Sequence, residues 1–410
     1  MAQYQSIAYL KTLDKEQLKN KKVIVRVDFN VPLDNELQIR DDTRIKAAME
    51  TIKYLRSAGS RILLMSHLGR PKGKIVDEMR LNPVAIRLGE LLQDKIMKLD
   101  DCIGSEVEAS ITKLKPGQIA LLENLRFYPE EKKNDKQFAQ KIASLCDVYV
   151  NDAFGAAHRA HASTAGIAEY LPAYAGFLMA KEIEVLGGLL EKPKRPFVSI
   201  IGGAKVSGKI EVLEKLVEIC DTLLIGGGMA YTFLAAQGYQ VGKSILESNY
   251  IDYVNRLMNE AKVKNKNIIL PQDIVVTKEF NEDAESKTRL IDQFSEDDMG
   301  MDIGQRSIDL FSEKIKQAKT IFWNGPVGVF EMKKFAKGTI SIAEKIADLE
   351  EDVFSVVGGG DSIAALKQFG LTENISHIST GGGASLEFLS GKTLPGLAVL
   401  EKQEYPFKQD

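Results

Sequence analysis

The chain has 410 residues, of which 44% are hydrophobic and 27% are charged. This composition is typical of a globular protein, and the chain is longer than a typical domain with a single hydrophobic core. Its formal net charge is -3, so a globally basic nucleic-acid binder is excluded and any anion site must be a local cluster of residues. We therefore expect two α/β domains that bind small-molecule anions, with no nucleic acid as a partner.

The first ten residues carry no export or import pattern, and Gly or polar residues break the apolar stretches well short of the ~20 residues that a membrane span requires. The cysteines Cys102, Cys146 and Cys220 are widely spaced beside apolar neighbours, which predicts buried thiols in a reducing compartment. We expect a cytoplasmic protein with no membrane partner, no disulfide framework and no zinc site.

Short apolar strands alternate with amphipathic helical patterns in the first half, which is typical of a parallel sheet flanked by helices. One of these helices is predicted over residues 44–55, with apolar side chains at helical spacing and Gly59 after its end. The predicted strands are residues 23–27, 62–66, 119–122 and 148–151.

A second series of strands follows a helical pattern at residues 181–190 and a proline-rich breaker at residues 193–196. Residues 281–298 are acidic, polar and aperiodic, and we interpret them as an exposed excursion. The fold class is therefore α/β, with two doubly wound, Rossmann-like parallel-sheet domains joined by a hinge helix. The predicted strands of the second half are residues 197–201, 222–225, 268–270, 320–323, 353–357 and 377–379.

Ligands of open parallel sheets bind outside the carboxyl ends of the strands, and the two halves differ at these positions. In the first half the residues there form a mostly cationic set that suits a compact polyanion: Asp28, Asn30, His67, Arg70, Arg126, His158, Arg159 and His161. In the second half they are glycine clusters, which let backbone N–H groups approach phosphate: Gly202 and Gly203 with Lys205 and Lys209, then residues 226–228, 324–328, 358–361 and 381–383.

Each of these features has a structural alternative. A single glycine cluster is more often a tight strand-to-helix turn than a phosphate loop, but five clusters at strand ends favour a nucleotide site. A single histidine is more often structural, so we favour His67 as a ligand contact and leave the others open. Residues 203–210 have the spacing of a P-loop but place Ile210 where a Mg²⁺-binding hydroxyl belongs.

A nucleotide site without a P-loop beside a polyanion site favours a kinase that lacks a P-loop. Two other functions compete with this interpretation. A nicotinamide-dependent dehydrogenase would use glycines in the same way, but no G-x-G-x-x-G follows any predicted strand. An anion-binding scaffold without activity predicts damage to Arg44, Lys205 or Asp361, and all three residues are present.

The motifs resemble those of the phosphoglycerate kinase family, and the resemblance runs along the whole chain. The segments that carry it are 22–32 (KVIVRVDFNVP), 66–71 (SHLGRP), 122–127 (LENLRF), 151–155 (NDAFG), 202–209 (GGAKVSGK), 323–331 (WNGPVGVFE), 358–361 (GGGD) and 379–384 (STGGGA).

The resemblance implies reversible transfer of the acyl phosphate of 1,3-bisphosphoglycerate to ADP, giving 3-phosphoglycerate and ATP, with Mg²⁺. It implies a monomer with a phosphoglycerate-binding domain at residues 1–185, a nucleotide-binding domain at 190–402, and a tail, 403–410, that folds back onto the first. The implied phosphoglycerate contacts are Asp28, Phe29, Asn30, Arg44, His67, Leu68, Gly69, Arg70, Arg126 and Arg159. The implied nucleotide contacts are Gly203, Lys205, Lys209, Gly227, Gly300, Asn324, Pro326, Glu331, Gly358, Gly359, Gly360, Asp361 and Ser362, with Asp361 as the metal ligand.

Phosphoryl transfer leaves little covalent work for the protein, so catalysis must come from alignment and from cations that neutralise the migrating group. We expect Arg44 and Lys205 to contact the transferring phosphoryl group, with the helix N-termini at Gly360 and Gly383 adding positive potential. Because each anion belongs to one domain, we also expect bending about residues 181–190 to bring the two ligands together and exclude water.

Overall fold

The computed structural model describes residues 6–401, which form two compact units. The first unit comprises residues 6–184 and 393–401, and the second is Val185–Lys392. Both alternate strands and helices along most of their length, as expected for α/β folds.

In the first unit, the described strands all run parallel in one sheet with the order β3-β4-β2-β1-β5-β6. They are β1 (Lys22–Arg26), β2 (Arg61–Met65), β3 (Met97–Lys98), β4 (Ile119–Leu121), β5 (Val148–Asn151) and β6 (Ala173–Ala175). The helices are α1 (Lys15–Leu18), α2 (Thr43–Ala47), α3 (Met49–Ser57), α4 (Asn82–Leu92), α5 (Ser105–Thr112), α6 (Pro129–Lys132) and α7 (Lys136–Ala143), and α16 (Pro395–Ala398) joins them from the end of the chain. Helix α8 (Phe177–Glu191) begins in the first unit and ends in the second.

The central strands are buried on both faces, which explains their near-continuous apolar sequences. In β1, Val23, Ile24 and Val25 are fully buried, and β1 pairs with β2 on one side and β5 on the other. The strand order reverses at β1, so the loops after β1, β2 and β5 border the crevice where such sheets bind ligands.

The second unit contains a second parallel sheet, whose described strands have the order β15-β14-β13-β7-β8-β9. The strands are β7 (Phe197–Ile201), β8 (Thr222–Ile225), β9 (Asn267–Ile269), β10 (Asp273–Thr277), β11 (Lys287–Leu290), β12 (Met299–Ile303), β13 (Thr320–Asn324), β14 (Phe354–Gly358) and β15 (His377–Ile378). The helices are α9 (Ile210–Ile219), α10 (Met229–Ala236), α11 (Ile251–Val263), α12 (Gln305–Lys316), α13 (Lys337–Ala347), α14 (Gly360–Gln368) and α15 (Gly383–Leu389).

Read from β9, this order is that of the Rossmann fold, and it reverses between β7 and β13. The core around these strands includes Ile200, Ile321 and Trp323. The α/β fold class predicted from the sequence is thus confirmed, and most predicted strands lie within one residue of the observed ones.

The structure corrects two local predictions. The helix predicted over residues 44–55 is two helices, α2 and α3, which meet at Ala48, where ψ is -5°. The supposed excursion at residues 281–298 contains β11, which joins β10 and β12 in a small antiparallel sheet. The strand was not predicted because its residues are mostly polar, as is common in an edge strand that faces water.

The segment 393–401 packs in the first unit, although the sequence placed it in the nucleotide domain. Ala8 N donates to Leu400 O at 2.8 Å, and Asn151 Nδ2 donates to Gly396 O at 3.1 Å. Backbone pairing of this kind leaves no pattern in the sequence. The predicted fold-back of the tail 403–410 lies outside the described residues.

Of the helices between residues 6 and 401, none has the length and apolar character needed to cross a bilayer. Cys102, Cys146 and Cys220 are buried free thiols, as predicted. Burial raises the pKa of each thiol, so all three stay protonated at neutral pH.

Candidate functional site

A buried carboxylate and a helix-terminal arginine meet at the end of β1 in the first unit. Arg44 Nη1 donates to Asp28 Oδ2 at 2.5 Å, and the Asp28 side chain is only 10% exposed. Arg44 is the second residue of the short helix α2, and the Asp28 carboxylate compensates its charge. The guanidinium is 36% exposed, so it retains surface for a ligand.

Hydrogen bonds tie the loop after β1 to the loops after β2 and β4. Asn30 Oδ1 accepts from Gly69 N at 2.8 Å, and Arg126 Nη1 donates to Gly69 O at 2.7 Å. Phe29 N donates to Ser66 Oγ at 2.9 Å. The structure thus brings Asn30, Gly69 and Arg126 together, although up to 96 residues separate them in the sequence.

The arginines of this region disfavour further positive charge nearby, including protonation of His67. Burial, followed by the charges of Arg26 and Arg159, lowers the pKa of Arg126 to about 10. Burial and the charges of Arg26, Arg126 and Arg44 hold the pKa of His67 well below its usual value. A cluster that resists further positive charge in this way has a strong potential for binding anions.

The remaining predicted contacts of the first unit differ in burial. Leu68 is buried, and its backbone N and O are both bonded by the side-chain amide of Asn124. Arg70 and Arg159 are exposed, and Arg159 Nε donates to His158 Nε2 at 3.0 Å. Asn124 lies in the segment 122–127 that carries the family resemblance, but it was not predicted as a site residue, because an amide that bonds only backbone atoms has no charge that marks it in the sequence.

In the second unit, Lys209 connects the loops after β7 and β13. Its Nζ donates to Gly202 O at 2.9 Å, to Asn324 O at 3.1 Å and to Asn324 Oδ1 at 2.7 Å. Burial lowers the pKa of Lys209 to about 8, and the charge of Asp361 opposes the shift. Asn324 Nδ2 is buried without a hydrogen-bond partner among residues 6–401.

The glycines after β7 and β8 pack against the loop after β13. Gly203 N donates to Pro326 O at 2.9 Å, and Gly227 N donates to Val327 O at 3.0 Å. A Cβ on Gly202 would lie 2.0 Å from Pro326 O. Both N–H groups are engaged by protein carbonyls, so close loop packing is the physical reason for glycine here, and a ligand would have to meet other atoms of Gly203 and Gly227.

The glycines after β14 and β15 are arranged differently. A Cβ on Gly360 or on Gly383 would meet no protein atom within 4 Å, and these residues begin α14 and α15. Gly359 has φ 90°, a conformation that side chains other than glycine rarely adopt. The Cβ positions of Gly360 and Gly383 therefore face open space at helix N-termini, where phosphate-binding loops hold their ligands.

The other predicted nucleotide residues lie around this edge of the second unit. Asp361 is exposed at the start of α14, directly after Gly360 in the sequence. Ser362 is buried, and its Oγ accepts from Gly325 N at 2.6 Å. Lys205 and Glu331 are exposed. Gly300 packs against Tyr231, since a Cβ there would lie 2.0 Å from the Tyr231 hydroxyl oxygen.

Comparison with known proteins decides what this pair of sites belongs to. The sequence profile of phosphoglycerate kinase matches residues 13–392. The chain belongs to the phosphoglycerate kinase family. The predicted resemblance is thereby confirmed, and a nicotinamide-dependent dehydrogenase is excluded.

The phosphoglycerate kinase of Dictyoglomus turgidum is 57% identical over 389 residues, which cover 95% of this chain and 98% of that protein. That of Moorella thermoacetica is 54% identical over 392 residues, covering 96% and 99%. The solved phosphoglycerate kinase of Coxiella burnetii superposes with a TM-score of 0.85 at 41% identity, over 96% of this chain and 98% of that chain. The enzyme from Pyrococcus horikoshii OT3 gives a TM-score of 0.82 at 33% identity and the same coverage.

Membership of the phosphoglycerate kinase family makes the chain a phosphotransferase that uses a nucleotide as a substrate, and its reaction is the one that the family name implies. The cationic cluster of the first unit and the open glycine helix starts of the second both suit phosphorylated ligands. One edge of each six-stranded parallel sheet thus presents groups whose chemistry is compatible with phosphorylated ligands.

Proposed function

We propose that the first unit binds phosphoglycerate through the loops after its parallel strands. The observation that carries this assignment is the set of hydrogen bonds that gathers the loops after β1, β2 and β4 at one edge, where Arg126 bonds Gly69 O and Asn30 bonds Gly69 N. The charges of Arg126 and Arg44 both lower the pKa of His67 at this edge. A phosphorylated acid would offset this positive charge. The proposed contacts are Asp28, Phe29, Asn30, Arg44, His67, Leu68, Gly69, Arg70, Arg126 and Arg159.

The second unit would hold ADP or ATP. The unpartnered Asn324 Nδ2 supports this, because a buried amide donor lacking an acceptor is costly and a ligand oxygen would satisfy it. The open backbones at Gly360 and Gly383 support it as well. The proposed contacts are Gly203, Lys205, Lys209, Gly227, Gly300, Asn324, Pro326, Glu331, Gly358, Gly359, Gly360, Asp361 and Ser362.

Asp361 would hold Mg²⁺ together with the nucleotide phosphates. Within residues 6–401 there is no cluster of three or more His, Cys, Asp or Glu that could form an all-protein metal cage. A single exposed carboxylate fits the ion nevertheless, because Mg²⁺ keeps several waters and is usually bound by one or two carboxylates plus substrate phosphates. The bound ion would neutralise charge on the phosphate oxygens.

The protein groups would act by alignment and by cancelling charge. The accepting or leaving carboxylate has an unperturbed pKa near ~4 and is ionised at neutral pH, so no general base is needed. Arg44 would contact the transferring group from the phosphoglycerate side and Lys205 from the nucleotide side. The N-termini at Gly360 and Gly383 would add positive potential from backbone dipoles.

A coupled assay for ATP formed from ADP and 1,3-bisphosphoglycerate tests the proposal. We expect ATP formation that requires added Mg²⁺ and is abolished by EDTA. Arg44→Ala and Lys205→Ala should both lose turnover, one from each unit. ATP formation that persists without a divalent cation would contradict the metal assignment, and no ATP at all would contradict the reaction.

Bending about residues 181–190, a monomeric state and a cytoplasmic location stay predictions. Small-angle scattering tests the bending, since we expect the radius of gyration to fall only when both substrates are bound. Sedimentation equilibrium tests the monomer. Fractionation of the source cells tests the location.

A further inference from the structure

Arg26, at the end of β1, is an arginine that the proposed ligand contacts do not include. Its side chain is only 1% exposed, and it is among the largest fully buried side chains. Buried arginines are rare unless their donors are satisfied. The partners of this guanidinium therefore indicate what it does.

One donor of Arg26 meets the imidazole of His67. Arg26 Nη2 lies 3.0 Å from His67 Nδ1. A guanidinium group offers hydrogen-bond donors and no acceptor, so Nδ1 must be the acceptor. The opposite tautomer would set an N–H against an N–H at the same distance.

The other donors of Arg26 hold its plane in place. Nε donates to Ser163 Oγ at 2.9 Å, and Nη1 donates to Val27 O. Ser163 Oγ in turn donates to Glu131 Oε1 at 2.6 Å, and Ser163 N donates to Glu131 Oε2 at 3.0 Å. Glu131 is fully buried, so a rigid chain of hydrogen bonds runs from Glu131 through Ser163 and Arg26 to His67.

The surroundings of His67 keep its ring neutral. Burial is the main cause of its low pKa, and the charges of Arg26, Arg126, Arg44 and His161 lower it further. Opposite them, Glu131 stays ionised. Burial opposes this, but His161, whose Nδ1 lies 3.6 Å from Glu131 Oε1, the charge of Arg26 and the hydrogen bonds from Ser163 hold the pKa of Glu131 below its usual value. A neutral ring whose Nδ1 accepts must carry its proton on Nε2.

We propose that Arg26, held by Ser163 and Glu131, is a positioning residue that fixes His67 in the Nε2–H tautomer, so that the neutral imidazole donates a hydrogen bond to the phosphoglycerate. The inference rests on the proposed role of His67 as a ligand contact. In this proposal His67 recognises the ligand by donating a hydrogen bond from Nε2, whereas the neighbouring arginines attract the ligand by their charge.

Nitrogen NMR of the full-length, ligand-free protein tests the tautomer directly. The chain has four histidines, so ¹⁵N-histidine labelling gives few signals, and His67→Gln identifies the pair from His67. At neutral pH we expect a pyridine-type shift at Nδ1 and a pyrrole-type shift at Nε2. A pyrrole-type Nδ1, or two protonated nitrogens, would overturn the proposal whatever the activity of the protein.

Arg26→Met tests the role of the arginine, and Arg80→Met is the matched control. Arg80 is a partly buried arginine of the same unit, and its Nη1 donates to Glu123. We expect intermediate, averaged shifts for His67 in Arg26→Met and unchanged shifts in Arg80→Met. Unchanged shifts in Arg26→Met would contradict the assignment. If Arg26→Met does not fold, Ser163→Ala replaces it. The His67 Nδ1 shift should then move from its wild-type value toward the averaged value, and an unchanged shift would contradict the proposal.

The kinetic readout separates this role from a general loss of structure. Losing a directed hydrogen bond to a charged ligand typically weakens binding by about tenfold to a hundredfold. We expect the KM for 3-phosphoglycerate to rise by that factor in Arg26→Met, while the KM for ATP stays unchanged. An equal rise in both constants would indicate a structural role only. If the wild-type protein made no ATP, the proposed function would fail while the tautomer measurement still stood.

Discussion

Lys209 Nζ donates to Asn324 Oδ1 at 2.7 Å and, at 3.1 Å, also to the backbone oxygen of the same residue. Two loops that end different strands of the sheet are thus joined by one buried ammonium group. The hydrogen bond leaves the other end of the Asn324 amide, Nδ2, directed to the side of Gly359, whose Cβ would lie 3.0 Å away. Lys209 therefore orients a donor at the glycine edge.

Lys209→Met should destabilise the second unit by about 2 kcal/mol or more, because carbonyl oxygens of Gly202 and Asn324 lose their partner. Urea unfolding measures this change. Lys215→Met, on α9, is the control: Lys215 pairs with the exposed Glu218 at 2.8 Å, and its loss should change stability by less than about 0.5 kcal/mol. Equal effects of the two changes would contradict the proposed role of Lys209.

The lowered pKa of Lys209 also predicts a pH dependence. With a folded-state pKa of about 8 and an ordinary value of 10.5, the folded protein binds fewer protons than the unfolded chain between these values. This group therefore makes the folded state more stable as the pH rises from 8 to 10.5. Subtracting the Lys209→Met stability curve from the wild-type curve should reveal that rise, and a flat difference would contradict it.

Arg44→Ala should lower turnover by about 10²–10³ with both substrates saturating, because the transferring group loses a positioned cation. The steady-state assay must be run at saturation so that weaker binding does not account for the loss. Lys46→Ala is the matched control, since Lys46 lies on the same helix, is 58% exposed and pairs with Asp42. We expect the control to keep near-normal turnover, and an Arg44→Ala enzyme that did the same would refute the catalytic assignment.

Two glycine-to-alanine changes should differ in what they affect: one lowers stability, and the other weakens nucleotide binding. Gly202→Ala places a methyl group 2.0 Å from a backbone oxygen and should cost about 3 kcal/mol or more of stability. Gly360→Ala meets no protein atom within 4 Å and should leave stability within about 0.5 kcal/mol. We nevertheless expect the nucleotide KM of Gly360→Ala to rise about tenfold, because the methyl group occupies the proposed phosphate edge. Normal nucleotide kinetics in this variant would place the phosphates elsewhere.

Asp152 is a buried carboxylate near the start of α8, where Met179 N donates to its Oδ1 at 3.1 Å. Burial raises its pKa to about 7, although Thr51 and the amides of Met179 and Leu178 oppose the shift, and Glu50 adds to it. Because the folded-state pKa lies above the unfolded value of 3.8, the stability from this group is full below pH 3.8 and is lost as the pH rises through 7.

Asp152→Asn should remove that loss, because the amide keeps an acceptor for Met179 N and carries no charge. Thermal unfolding between pH 4 and 8 should show a wild-type slope of at most about 1.4 kcal/mol per pH unit from this group, absent in the variant. Asp147→Asn, at an exposed carboxylate, serves as the comparison. A variant that kept the wild-type slope would show that Asp152 is ionised throughout.

Much of the fold followed from local sequence pattern. The strands 148–151, 197–201 and 222–225 were predicted with their observed bounds, because runs of buried apolar residues between turn residues are a local signal. The short strands β3 and β6 and the antiparallel strands β10 to β12 were missed. Their pairing depends on partners elsewhere in the chain, and β11 is largely polar.

The sequence by itself determined the family, the α/β class and the two kinds of strand end, cationic in the first half and glycine-rich in the second, because these depend on residue type and order along the chain. Only the tertiary structure decided which groups of Lys209, Asn324 and the glycines bond to other loops and which stay open to a ligand. Whether a Cβ position is blocked by a backbone carbonyl, as at Gly202, or faces open space, as at Gly360, depends on which loops the fold brings together. Hydrogen-bond partners are set by distances in space, and the order of residues does not encode them locally.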